Sequence, residues 1–122
     1  YKSVESTSYL KYLWSKYKLN KSYKSTKDLL EKYDLDAFIG LTRGPAWKIN
    51  YDGGDYIAMN DSPQFGSGGY AAHNGMPHIT IPYFEINKFP VGISIIGDRW
   101  TDKMIIEYAS AIEKSRYNLD TQ

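Results

Sequence analysis

Asp36-Ala37-Phe38-Ile39-Gly40-Leu41 is the stretch on which a reading of this chain turns. After Asp36 it runs apolar without alternation. A strand that is solvated on one face alternates apolar and polar residues, so an unbroken run predicts a strand, 36–41, covered on both faces. Just upstream, Leu29, Leu30 and Tyr33 mark a short helix over 26–33, with Thr26 read as its N-cap and Asp28 in its first turn. Further upstream, Tyr9, Leu10, Leu13, Trp14 and Tyr17 recur at helical spacing and predict a helix over 6–18. The polar stretch Asn20–Ser25 is expected to separate the two. Downstream, Thr42 to about Asn74 is irregular and rich in glycine, and also contains Pro45 and Pro63. So long an irregular segment is usually functional or rests on another part of the protein. Strands are expected at 78–83 and 91–97, joined by a hairpin-like turn across Glu85–Pro90. Val91, Ile93 and Ile95 share one face of the second strand, and Pro82 sits at the end of the first. Thr101 then caps a helix over 102–116 whose inner stripe is Met104, Ile105, Tyr108, Ala109 and Ile112.

Three strands, two of them apolar on both faces, need covering layers that three helices do not fully supply. The pattern is therefore α/β and reads as one slab of a larger layered sheet. Residues 1–122 are expected to form a single domain or a fragment of one. Net charge is +1 but uneven: residues 1–33 carry eight lysines against Glu5, Asp28 and Glu31, and the remainder is net acidic. Because the lysines interleave with apolar residues, they read as the solvated side of a helix, with nucleic acid the lesser alternative. The absence of cysteine excludes disulfides, thiolate nucleophiles and Cys-based metal sites. The longest apolar runs fall far short of a membrane span. A start at Tyr1 without Met suggests a processed or excised piece. The expected compartment is the cytoplasm, with export left open.

Four ordered blocks carry a resemblance. Tyr33-Asp34-Leu35-Asp36-Ala37-Phe38-Ile39 leads to Thr42 and then Gly44-Pro45-Ala46-Trp47. Tyr70-Ala71-Ala72-His73-Asn74-Gly75-Met76-Pro77-His78-Ile79-Thr80-Ile81-Pro82 follows, then Phe89-Pro90-Val91-Gly92-Ile93-Ser94-Ile95-Ile96-Gly97. The closing helix ends in Ala109-Ser110-Ala111-Ile112-Glu113. Together these resemble the last quarter of amidase-signature hydrolases, the family of amidases and of the amidase-like component of amidotransferases. The resemblance implies a three-layer α/β/α fold around a mixed sheet, and hydrolysis or transfer of carboxamides. It implies no cofactor. It also implies a Ser-Ser-Lys triad, whose residues belong N-terminal to everything here, so this chain alone is expected to be inactive, with no catalytic residue of its own. The partner would be the missing N-terminal catalytic portion, or a self-associated copy, and the intact enzyme would take a small-molecule amide. Neither nucleic acid nor membrane is expected as a partner. A stand-alone interaction or binding module derived from the same fold is the alternative.

Gly66-Ser67-Gly68-Gly69 resembles the family's Gly/Ser-rich signature but falls in the wrong place and lacks paired serines. It is read as a flexible turn, and Ser67 is not assigned as a nucleophile. His73 and His78, five residues apart with no acid cluster, suit neither one helix face nor one strand face, so they predict no metal site. Asp52, Asp55 and Asp61 do not have the spacing of a calcium loop. The substrate-pocket candidates are Thr42, Arg43 and Trp47. Trp47, after Gly-Pro-Ala at the exit of a buried strand, could wall a pocket or anchor the long loop. Arg43 lies at a strand end, where ligands of α/β sheets gather, and reads as a substrate contact or a surface charge.

Overall fold

The computed structural model describes residues 8–59 and 65–120, the last four of these by backbone alone. The expected helix start at residue 6, and Asp61 and Pro63 of the long segment, lie outside the described residues.

The first element, α1 (Tyr9–Lys32), is one helix of 24 residues where two were expected. Nothing between Asn20 and Ser25 stops a helix: the stretch holds neither proline nor glycine, and its lysines are good helix formers. Thr26, expected as an N-cap, is 3% exposed and interior, and its hydroxyl donates back to the Ser22 carbonyl at 3.1 Å. The helix stops at Asp34, which takes φ 50°, and Leu35 N–H reaches back to the Leu30 carbonyl at 2.9 Å. This closes the carbonyl end as glycine usually does, here with an aspartate in the left-handed position.

Strand β1 (Ala37–Leu41) follows. Two short helices, α2 (Gly54–Met59) and α3 (Gly68–Asn74), then punctuate the segment expected to be irregular. Strands β2 (His78–Ile86) and β3 (Phe89–Gly97) and helix α4 (Asp102–Asp120) complete the order. The sheet order is β1-β3-β2, and both pairings are antiparallel, so the described strands do not themselves form a mixed sheet. Asn87 and Lys88, at φ 54° and 67°, make the two-residue turn of the β2–β3 hairpin. Positive φ at both positions matches the twist of the flanking strands. Ladder pairing shifts by one residue between Pro82 and Phe84, leaving Tyr83 as a bulge.

Alternation along β3 sorts the interior into two apolar clusters. Ile93 and Ile95 meet Ile81 of β2 and Ile105 and Ala109 of α4. Ile96, on the opposite face, joins Leu30 of α1, Ala71 of α3 and Met76. Each fully buried isoleucine contributes about 1.5–3 kcal/mol. A polar latch fixes α1 to the end of β3. The Tyr23 hydroxyl donates to Asp98 Oδ1 at 2.7 Å, and the Arg99 guanidinium stacks 3.6 Å above the Tyr23 ring. Arg99 Nε also donates to the Asn74 carbonyl at 2.9 Å. The bond to a carboxylate raises the Tyr23 pKa above its ordinary value, with a smaller push from burial. By contrast, the first half of α1 packs against nothing described: Tyr9, Leu10, Trp14 and Tyr17 are all more than half exposed. Among the described residues no helix is long and apolar enough to cross a membrane.

Candidate functional site

The face of the sheet that carries Ile96 turns polar toward the far end of β3. Gly40, Ser94 and Thr80 form one cross-strand row. Ser94 is 1% exposed, yet it sits in the most apolar strand of the chain. A buried hydroxyl is tolerated there only if its hydrogen-bonding capacity is met. It is met in full. Ser94 Oγ donates to Thr42 Oγ1 at 2.8 Å and accepts from Ser67 Oγ at 2.8 Å, and His78 Nε2 lies 2.6 Å away. A serine hydroxyl has one proton and two lone pairs. With its proton directed at Thr42, the imidazole must donate from Nε2.

Four segments converge on this hub. Thr42 is placed by the end of β1, where its N–H bonds the Gly92 carbonyl at 2.9 Å. His78 and Thr80 alternate along β2 onto the same face. Ser67 precedes α3, and both its N–H and its hydroxyl reach the Thr42 carbonyl, at 3.1 and 3.3 Å. Gly68 packs against the His78 ring: a Cβ there would stand 3.6 Å from Cε1. Thr42 also donates to Thr80 Oγ1 at 3.3 Å, which places two hydroxyls side by side.

Beside that pair lies a recess of 340 Å³ whose lining includes Thr42, Arg43, Trp47, Thr80, Pro90 and Gly92. Gly92 keeps it open: a Cβ there would come within 2.8 Å of the Thr80 methyl and 3.1 Å of Thr42 Oγ1. Arg43 is exposed, its guanidinium carbon 5.3 Å from the Trp47 ring centre, and its backbone bridges to Gly66. Trp47 also borders a second recess of 560 Å³, shared with Ile86, Asn87 and Phe89. The three pocket candidates read from the sequence, Thr42, Arg43 and Trp47, therefore share one recess. Chemically it offers apolar walls, two hydroxyls able to donate or accept, and one cation at the rim.

Sequence reasoning missed Ser94, Thr80 and His78 as a unit. The available signal was polar residues in phase on one face of two otherwise apolar strands. Ser67, set aside as part of a turn, is a hydrogen-bonded member of the hub. Among the described residues no three His, Cys, Asp or Glu side chains gather as metal ligands.

No family model matches the chain. Over 45 residues it is 44% identical to the A component of the glutamyl-tRNA(Gln) amidotransferase of Thermotoga maritima, a stretch covering 36% of this chain and 10% of that protein. Its fold is similar to the peptide amidase in complex with the competitive inhibitor chymostatin, with a TM-score of 0.59 and 35% identity over 70% of this chain. It is similar also to the native peptide amidase of Stenotrophomonas maltophilia, with a TM-score of 0.58 and 30% identity over 72% of this chain. In both structures the chain spans 16% of the larger protein. In sequence and in fold the chain is thus similar to amidase-signature proteins, over the small part of them that it spans.

Proposed function

We propose that this chain is the C-terminal structural and pocket-lining part of an amidase that hydrolyses carboxamide C–N bonds. In this reading the catalytic Ser, Ser and Lys lie in the remaining portion, which is the chain's partner, and the chain alone is inactive. Its three strands continue into a mixed sheet between two helical layers. Thr42, Arg43 and Trp47 form one wall of the substrate pocket. The observation that carries the reading is the recess itself: the turn leaving β1 meets Thr80 and Gly92 there, and the Ser94 hub holds Thr42 in place by hydrogen bonds. A wall held in place is what positioning a small substrate requires.

The test is complementation. A peptide amidase deleted for the matching sixth of its chain is co-expressed with these 122 residues, and ammonia release from a peptide carboxamide is measured. The chain alone is expected to release none, and the pair is expected to recover activity. Trp47→Ala in the supplied chain should then raise KM more than it lowers kcat. Failure of the two pieces to co-purify, or turnover by the chain alone, would overturn the proposal.

A further inference from the structure

Asn74 stands at the last position of α3 and is followed by Gly75. Of the chain's six asparagines it alone precedes a glycine. That pair carries a reactivity of its own. The glycine nitrogen has no side chain beside it, so it can approach the neighbouring carboxamide carbon as an internal nucleophile. The fold holds both reactants out of position. The Asn74 side chain is 1% exposed, and its Nδ2 donates to the Tyr70 carbonyl at 2.9 Å, back along the helix and away from Gly75. The Gly75 N–H donates to the Ala72 carbonyl at 3.2 Å, so the proton that the reaction must remove is held. The next N–H, of Met76, reaches the Ala71 carbonyl at 3.0 Å, and Gly75 takes φ 63°, which closes the helix end. Arg99 Nε donates to the Asn74 carbonyl at 2.9 Å and fixes it from outside the helix.

We propose that Asn74 is a site of spontaneous deamidation that the native fold keeps shut and that unfolding opens. In the opened chain hydroxide takes the Gly75 amide proton, and the nitrogen attacks Asn74 Cγ. The new C–N bond forms as the Cγ–Nδ2 bond breaks, ammonia leaves with a proton from water, and a cyclic imide results. Water then opens the ring. Addition at Cγ gives aspartate, and addition at the main-chain carbonyl carbon gives isoaspartate; no oxidant or reductant is consumed. Neither product fits the native site. Aspartate puts a carboxylate oxygen where Nδ2 donated, against the Tyr70 carbonyl. Asn74 Oδ1 is already a buried acceptor with no donor among the described residues, so the added charge is not compensated there. Isoaspartate lengthens the main chain by one atom between residues 74 and 75, which displaces the two N–H groups that close α3. The change is therefore one-way: a chain modified while open cannot close again as it was. Every group concerned lies within this chain, so the inference does not depend on what covers its exposed surfaces. It goes beyond the amidase reading and does not rest on it.

The experiment is incubation of the 122-residue chain at mildly alkaline pH, in native buffer and in guanidinium chloride, with peptide mapping of aspartate and isoaspartate over time. In denaturant, residue 74 is expected to convert ahead of the other asparagines. In native buffer only the opened fraction reacts, so conversion at 74 should be slower by about a hundredfold or more. Arg99→Ala releases the Asn74 carbonyl and should raise the native rate several-fold while leaving the rate in denaturant unchanged. The converted chain, separated from the unconverted one and returned to native buffer, should melt at a lower temperature by circular dichroism. Equal rates in the two solvents would overturn the proposal, as would another asparagine converting first in denaturant. So would a native rate untouched by Arg99→Ala, or a converted chain that melts like the unconverted one.

Discussion

Replacing Ser94 by alanine tests the hub at its centre. The side chain is 1% exposed and bonded to Thr42, Ser67 and His78 at 2.8, 2.8 and 2.6 Å. Removing the oxygen strands the His78 N–H and one lone pair of Thr42 around a small void, while the Ser67 hydroxyl keeps its longer bond to the Thr42 carbonyl at 3.3 Å. Leaving a buried polar group unsatisfied costs about 1–3 kcal/mol. The three partners are only half-buried, so water or a rotated hydroxyl recovers part of this, and about 2 kcal/mol is expected. For a chain of this size that is a fall in Tm of roughly 8 °C. Urea unfolding followed by far-ultraviolet circular dichroism measures it, with amide exchange at Thr42 and Ser67 locating the loss. Ser67→Ala should cost roughly 0.5–1 kcal/mol in the wild-type background and less in the Ser94→Ala background, where only its 3.3 Å bond to the Thr42 carbonyl is left to lose. A loss below about 0.5 kcal/mol for Ser94→Ala, or strict additivity of the pair, would show that the hub is not a coupled unit.

Other perturbations probe the frame. Gly97→Ala should prevent α4 from seating on the sheet, because a Cβ there would fall 2.3 Å from Thr101 Oγ1 and 2.6 Å from Ile105 Cγ2; amide exchange in α4 and β3 reports it. Lys88→Gly should stabilise the hairpin by about 0.4–1 kcal/mol, since Lys88 is held at φ 67°, and urea unfolding detects the gain. The latch is sensitive to alkali. The Tyr23 pKa is raised in the folded chain, so the phenol's contribution is fully present below the unfolded value, near pH 10, and is lost as pH rises through the folded value. Tyr23→Phe should be less stable than wild type at neutral pH and lose less stability above pH 10, which thermal unfolding across that range would show.

Much of the frame was legible because burial writes itself into spacing. The apolar runs marked all three strands, and the stripe from Met104 to Ile112 marked the last helix. The join within α1 was not legible, because polarity was taken as interruption when only proline, glycine or a competing cap would have interrupted. Thr26 has the chemistry of a cap but spends its hydroxyl on Ser22 and Tyr70. On β2 the bulge at Tyr83 defeats alternation: Ile79 and Ile81 face α4, and Phe84, one position out of phase, joins them. At the site, Thr42 and Trp47 could be singled out because they flank a strand exit. Ser94 could not, because its importance comes from partners that lie 16 to 52 residues away in sequence.

That bulge also divides the behaviour of the sheet's two margins. On β2, Pro82 supplies no N–H, its carbonyl is taken by Arg116 at 2.7 Å, and the extra residue beside it twists the strand out of line. A neighbouring extended chain finds no regular ladder there, and the hairpin itself cannot slide by two residues without misplacing the insertion. The β1 margin has no such irregularity in its pairing with β3, which runs unbroken from Ala37 to Leu41. The sheet is therefore polarised as a template: further strands can be added on the β1 side and are refused on the β2 side.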